Sequence, residues 1–203
     1  MVIPTLDFEK QLWNLKYANV CGLDEVGRGC FAGPVCTGAV IFKPDSRIPE
    51  GIRDSKLLTP KKRQKLSQEI KNSCFAWSIG QSSVEMINEL GIVGATQSAF
   101  YQSVQNLNIP PDFLLIDAFF IDGIEKEKQK PIIHGDSLCL SIAAASIIAK
   151  VYRDELMEKL ALEYPEYGLE NHKGYGTKQH REAIKKHGLT DIHRKSFNLD
   201  KFL

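Results

Sequence analysis

Apolar residues fall in short blocks separated by glycine, proline and charged stretches, and the spacing within each block assigns its element. Ala18 to Leu23 and Val35 to Phe42 are apolar with glycine and proline between them, which predicts two strands joined by a turn. Thr59-Pro60 supplies a helix cap followed by proline at the first helical position, opening a helix through about Lys71. Cys74 to Ile79 predicts a third strand, and Val93 to Leu107 is periodic enough for a helix that Pro110-Pro111 terminates. Two further apolar runs end on carboxylates: Phe113 to Ile116 on Asp117, and Ile132-Ile133 on Gly135-Asp136. From Leu138 to about Leu162 the pattern is helical, and Ser141, Ala143, Ala144, Ala145, Ser146 and Ala149 make a face small enough to sit close against a sheet.

Strands first, then strand and helix in alternation, predict an α/β fold around a sheet of mixed direction. No repeat, low-complexity tract or long linker divides the 203 residues, although Tyr164 to Thr177 is rich in turn residues. A single domain is expected, with about residues 14–165 as core and about 166–203 as a small C-terminal helical extension.

Composition is that of an ordinary globular chain, with a formal net charge of +1 that hides an uneven distribution. From Asn171 onward there are eight Lys/Arg against three Asp/Glu, and four of the five histidines lie there. The tail is either a solvated face or a cationic surface for phosphates. Lys61, Lys62, Arg63 and Lys65 read as an exposed helix face. The five cysteines form no close CxxC pair and read as small buried hydrophobes in a reducing compartment. Asp7 and Glu9 near the start, with no basic patch leading into an apolar run, predict no signal peptide, and the most apolar segment is too short to span a bilayer. A cytoplasmic location is expected.

Chemistry is concentrated in four carboxylates. Asp24 and Glu25 adjoin at the end of an apolar strand, where neighbouring side chains point to opposite faces, so both can serve one site only where the strand breaks. Gly27-Arg28-Gly29 next door supplies the flexible positions for such a break. Asp117 and Asp136 each follow an apolar run, where an uncompensated carboxylate is costly and a bound cation relieves the cost. Asp136 also precedes a helix, whose positive end favours the ionised form or takes the residue as a cap. Four hard oxygen ligands without a Cys or His cluster suit Mg²⁺ or Mn²⁺ rather than zinc. Such a pair of cations suits phosphoryl transfer by an activated water, and no Walker loop or nucleophile elbow suggests another chemistry.

The segment CGLDEVGRGCFAGPV resembles the N-terminal signature of the ribonuclease HII family, the type 2 ribonucleases H, in its bacterial form. RDSKLLTPKKR, LLIDA, HGDSLCLSIAAASIIAKVYRD, NHKGYGTKQH and IHRKSF resemble its later blocks in order, so the resemblance covers most of the chain. It implies an RNase H-like mixed sheet flanked by helices, and a metal-dependent endonuclease that cuts the RNA strand of RNA/DNA hybrids and cuts 5′ to ribonucleotides embedded in DNA. It also implies Mn²⁺ or Mg²⁺ as cofactor and RNA/DNA hybrid or ribonucleotide-containing DNA as partner, with the chain acting as a monomer. The family's metal carboxylates fall on Asp24, Glu25, Asp117 and Asp136, the same four selected above. Its glycine-arginine-glycine loop falls on Gly27, Arg28 and Gly29, and would contact the ribose 2′-hydroxyl and adjoining phosphate. Its junction-sensing tyrosine falls on Tyr175, and Lys56, Lys150, Arg194 and Lys195 match basic positions near the nucleic-acid path. The chain departs from the common pattern in carrying His134 before Gly135-Asp136 and Ala118 after Asp117; Asp122-Gly123 offers a second Asp-Gly, but Asp117 has the expected register. The related type 3 enzymes usually carry an added N-terminal domain, for which the early Asp24 leaves no room. A non-catalytic hybrid-binding module would lack a carboxylate, and a DNA-cutting nuclease would lack the ribose-directed GRG and Tyr175 features.

Overall fold

The computed structural model describes residues 3–203. Its larger elements are α1 (Asp7–Asn14), β1 (Val20–Val26), β2 (Val35–Ile41), α2 (Pro60–Ser73), β3 (Ala76–Ser82), α3 (Val84–Gln105), β4 (Phe113–Asp117), β5 (Gln129–Ile132), α4 (Gly135–Leu138), α5 (Leu140–Glu163), α6 (Leu169–His172) and α7 (Lys178–His187). The strands form one sheet in the order β3-β2-β1-β4-β5. β1, β2 and β3 pair antiparallel as a meander, while β4 and β5 join in parallel, which is the mixed α/β sheet flanked by helices that the apolar pattern predicts.

Alternation along the strands buries both faces. Val40 and Phe42 meet α2 and α5 through Leu66, Ile70, Ala144 and Ile148. Cys21, Leu23, Ala39, Ile41, Leu114 and Ile116 point the other way and pack with Phe100 of α3. α5 can lie directly on the sheet because its first half is small: a Cβ added at Gly38 would sit 2.4 Å from the Ala145 carbonyl oxygen. That close approach brings the helix to within reach of the ends of β1 and β4.

The differences from the sequence expectations have local causes. α3 begins at Val84, capped by the Ser83 side chain, and Gly91 (φ 69°) interrupts it just before the residue where the periodicity starts. The third strand lies at Ala76–Ser82 rather than Cys74–Ile79, since the helix before it runs on through Ser73. α1 escaped notice because it is only eight residues long; its buried Glu9 accepts the Ser141 N–H at the start of α5, satisfying one of that helix's free donors. Arg63 is not on the exposed face expected of it. It is buried, donating to the Ser55 and Leu58 carbonyls and to Asp154.

The cysteines are all free and four of the five are buried, as small hydrophobes would be. Among the described residues no helix is long and apolar enough to cross a membrane. The C-terminal part packs on the rest through its own core: Tyr167, Leu169, Ile184 and Ile192 share it with Ala32, Met157 and Ala161.

β4 hands over to its following loop through Ala118, which is exposed and adopts φ 58°. Left-handed backbone costs an L-residue about 1–2 kcal/mol, and glycine escapes that cost. Ala118→Gly is therefore expected to stabilise the fold by about 1 kcal/mol despite the greater freedom it gives the unfolded chain. A urea titration with unchanged slope and a raised midpoint is the expected result.

Candidate active site

Asp24 and Asp117 project from neighbouring strands at the point where their pairing stops. The parallel ladder between β1 and β4 ends at Leu23 opposite Ile116, so the next residue on each strand is a carboxylate. Both continue the alternation that faces α5. The strand breaks where Gly27-Arg28-Gly29 predicts, after Val26, and up to that point β1 stays paired with β2, with Asp24 opposite Gly38 and Glu25 opposite Thr37. What lets Glu25 join is the end of β4, which leaves β1 open on that side for the longer side chain to reach around. One oxygen each from Asp24, Glu25 and Asp117 lies within 4.8 Å of the others. Asp136 falls outside that tight cluster but lines the same cleft.

Asp136 is the second residue of the four-residue α4, just ahead of α5 as expected, but its side chain caps neither helix. Its Oδ2 lies 3.7 Å from Lys56 Nζ. Asp122, the other Asp-Gly, is exposed and donates its backbone N–H to the Gln97 side-chain oxygen on α3.

The cluster is short of compensating charge. Burial, followed by the charges of Glu25, Asp117 and Asp136, raises the Asp24 carboxyl well above the usual carboxylate range, against a hydrogen bond from Ser146. Asp24 is only 5% exposed. Glu25 is pushed up to about 7, chiefly by burial and by Asp117, with Arg28 opposing. Asp117 is also raised by burial and by Asp136, although it accepts the Gly135 N–H at 2.8 Å. Burial works against the charge on Lys56, but Asp136, Asp54, Asp24 and Asp117 outweigh it and raise its pKa. Glu25 Oε2 is buried without a hydrogen-bond partner. Crowded, partly unpartnered carboxylate oxygens fit a hard divalent cation, which supplies the missing positive charge.

Several supports gave no signal in the spacing. Ser146 donates to Asp24, so its 3.1 Å contact with Ser55 requires Ser55 to donate in turn. The Asp54 carboxylate accepts the Lys56 N–H, and Arg63 holds the Ser55 and Leu58 carbonyls, so the segment that carries Lys56 is pinned at both ends. Lys150 bonds Asp154 at 2.7 Å and stands 5.7 Å over the Tyr175 ring. Both Lys150 and Tyr175 line the cleft, as do Gly27 and Arg28. Arg28 lies 3.9 Å from Glu25 and stacks over Phe119.

Arg194 and Lys195 are not brought to the cleft. Lys195 is exposed and pairs with Asp191 at 4.0 Å. Arg194, expected near the nucleic acid, is instead fully buried, where it donates to the Gly33 and Arg28 carbonyls. Arg153 does the same from α5, binding the carbonyls of Pro34, Ala32 and Lys173. Two interior guanidiniums thus hold the loop that carries Gly27-Arg28-Gly29. The fork of donors on each suits several carbonyls at once.

The two loop glycines have different reasons to be glycine. Gly27 has φ 89° and its missing Cβ would collide with Arg153 Nε, whereas Gly29 is exposed and a Cβ there would meet nothing within 4 Å. Gly27→Ala is expected to lower stability by about 1–3 kcal/mol through overpacking and backbone strain, so a substitution there does not leave the fold intact. Gly29→Ala should stay within about 0.5 kcal/mol of the wild type, as for an unconstrained surface position. Thermal melts of the pair check this, and equal losses would contradict it.

Comparison with known proteins agrees with this architecture. Residues 21–200 match the family model described as Ribonuclease HII. The Ribonuclease HII of Clostridioides difficile (strain 630) is 48% identical over 190 residues, covering 94% of this chain and 74% of that protein. That of Alkaliphilus oremlandii is 45% identical over 207 residues, covering 99% and 100%. The ribonuclease H2 crystal structure from Pyrococcus horikoshii superposes with a TM-score of 0.72 at 25% identity, covering 91% of this chain and 96% of that one. With nearly the whole length matched and the acidic cleft at the strand ends, the chain belongs to the ribonuclease HII family, hydrolases that act on the RNA of RNA/DNA hybrids.

Proposed function

We propose that this cleft cuts the RNA strand of RNA/DNA hybrids and cuts on the 5′ side of single ribonucleotides in duplex DNA, with two divalent cations. The observation that carries the reading is the convergence of Asp24, Glu25 and Asp117 oxygens within 4.8 Å, with Asp136 in the same cleft. These four carboxylates would hold Mn²⁺ or Mg²⁺; the donor set does not choose between them. When bound, such cations supply an activated water and neutralise the charge that develops on the departing 3′-oxygen.

The chain's own groups arrange the substrate around that centre. Arg28 and the open backbone at Gly29 face the ribose and its phosphate, and the 2′-hydroxyl they meet is what separates RNA from DNA. Lys56 and Lys150 supply positive charge to the cleft's rim, and the Tyr175 ring, 40% exposed, packs against the next sugar. Ser55 and Ser146 keep Asp24 oriented. Water, not the neighbouring 2′-hydroxyl, is the nucleophile, so the products carry 5′-phosphate and 3′-hydroxyl ends rather than a cyclic phosphate.

The basic tail extends the phosphate contacts beyond the cleft. Lys178, Arg181, Lys185 and Lys201 gather between α7 and the last residues. Each phosphate neutralised releases counterions, so this part of the affinity is salt-dependent. Removing the whole tail is a poor probe, because it would take away Arg194, Tyr175 and His193, which hold the backbone of the 28–33 loop.

Cleavage of two duplexes, one with a single ribonucleotide and one with a long RNA tract, tests the assignment. Asp24→Asn is expected to abolish both cleavages while binding persists, a loss well beyond the roughly 10–100-fold typical of groups behind the ligands. Tyr175→Ala should impair the isolated ribonucleotide more than the tract. Retention of more than about a tenth of turnover by Asp24→Asn would remove that residue from the centre.

A further inference from the structure

Behind Tyr175 lies a group of buried aromatic rings that the cleavage chemistry does not use. His180 stacks on His172 with centroids 4.5 Å apart, and His193 packs edge-on against Tyr167 at 4.7 Å. His180, His193 and His172 are all buried. Their hydrogen bonds leave little freedom in where the protons sit. His180 Nδ1 lies 3.0 Å from the Tyr175 carbonyl oxygen, which can only accept, so Nδ1 carries the proton. In a neutral ring Nε2 is then the acceptor, and its 3.2 Å contact with His193 Nε2 requires that nitrogen to be the donor. His193 Nδ1 is left as an acceptor, and it faces the Thr190 backbone N–H at 3.0 Å. The relay runs from a backbone donor through two rings to a backbone acceptor, and only one pair of tautomers satisfies it.

Both rings are kept neutral: burial pushes His180 and His193 down to about 4. A proton added to His180 would place two N–H groups against each other at the Nε2–Nε2 contact, and one added to His193 would set its Nδ1–H against the Thr190 N–H. His180 also sits in the first turn of α7, capped by Thr177, where the helix end disfavours a cation.

The far end of the relay is the residue whose ring lines the cleft. The Tyr175 carbonyl takes its bonds from His180 and from the Thr177 N–H, while its N–H is held by the His172 carbonyl and its backbone bridges to Cys30 beside the Gly27–Gly29 loop. From this geometry we infer that His193 and His180 are positioning residues, a tautomer-locked relay that sets where the Tyr175 ring meets the substrate sugar. The inference rests on the proposed role of Tyr175 for its catalytic consequence, but the relay itself has an independent signature.

Two measurements test it. In ¹⁵N spectra of wild-type protein labelled in its imidazoles, His180 should show a protonated Nδ1 and His193 a protonated Nε2; the opposite tautomers, or averaging between the two forms, would overturn the relay. The second compares His180→Asn, whose amide N–H falls near the place of Nδ1, with His180→Gln, whose amide N–H falls near that of Nε2. Both lose the ring, so a role in packing alone predicts equal damage. The relay predicts that His180→Asn keeps the ratio of single-ribonucleotide to tract cleavage within about threefold of wild type, and that His180→Gln lowers it by about tenfold, as misplacement of a substrate-contacting group can. Equal ratios for the two folded variants would refute the positioning role. Tyr175→Ala in the same assay separates the readings: an unchanged ratio there defeats junction sensing by Tyr175. The relay is then judged by the spectra and by the ¹³C shift of the Tyr175 carbonyl, which should move in His180→Gln and not in His180→Asn.

Discussion

Like charges gathered at the end of a sheet set the terms for everything around them. Asp24 is nearly inaccessible, yet Glu25 and Asp117 offer oxygens within 4.8 Å of it, and Lys56 is drawn mostly toward Asp136. A protein interior tolerates such crowding poorly, because burial and mutual repulsion both disfavour the charged forms. The fold bears that cost by building stiff surroundings: α5 lying directly on Gly38, Ser146 donating to Asp24, and the Gly135 N–H holding Asp117. A cation entering this place finds its ligands already collected and needs little rearrangement of the chain.

The same logic links the catalytic strands to the C-terminal part. Arg153 and Arg194 are interior guanidiniums that donate to backbone carbonyls of residues 28–34 and of Lys173. Through them the Gly27–Gly29 loop and the segment that carries Tyr175 become one unit. The histidine relay fixes the other side of that segment. On the function proposed for this cleft, specificity for the sugar would depend on groups that never touch it.

Much of this was legible in the sequence, for physical reasons. β1, β2 and β4 are buried on both faces and so read as apolar runs, and the carboxylates stand out because they end those runs. Small residues in α5 announced a close approach to the sheet. Other features were hidden because they depend on contacts between residues far apart in the chain. Arg63, Arg153 and Arg194 look like surface charges until their carbonyl partners are known, and Glu9 acquires its role only when α1 reaches the start of α5, 132 residues away. The glycines mark where β1 stops, after Val26, but nothing in the sequence of β1 distinguishes that stop from the early end of β4 beside it, which opens the sheet at Glu25. Only the ladder tells them apart.

Whether the carboxylate cluster is a cation centre can be decided by counting Mn²⁺ bound in the presence of an uncleavable RNA/DNA hybrid, using paramagnetic resonance of the free ion. The wild type should bind about two ions per chain, as a two-metal centre requires, and Asp117→Asn should bind at least one fewer with its fold unchanged. Equal occupancy in the two proteins would show that the ions sit elsewhere, and that the crowding of Asp24, Glu25 and Asp117 serves some other purpose.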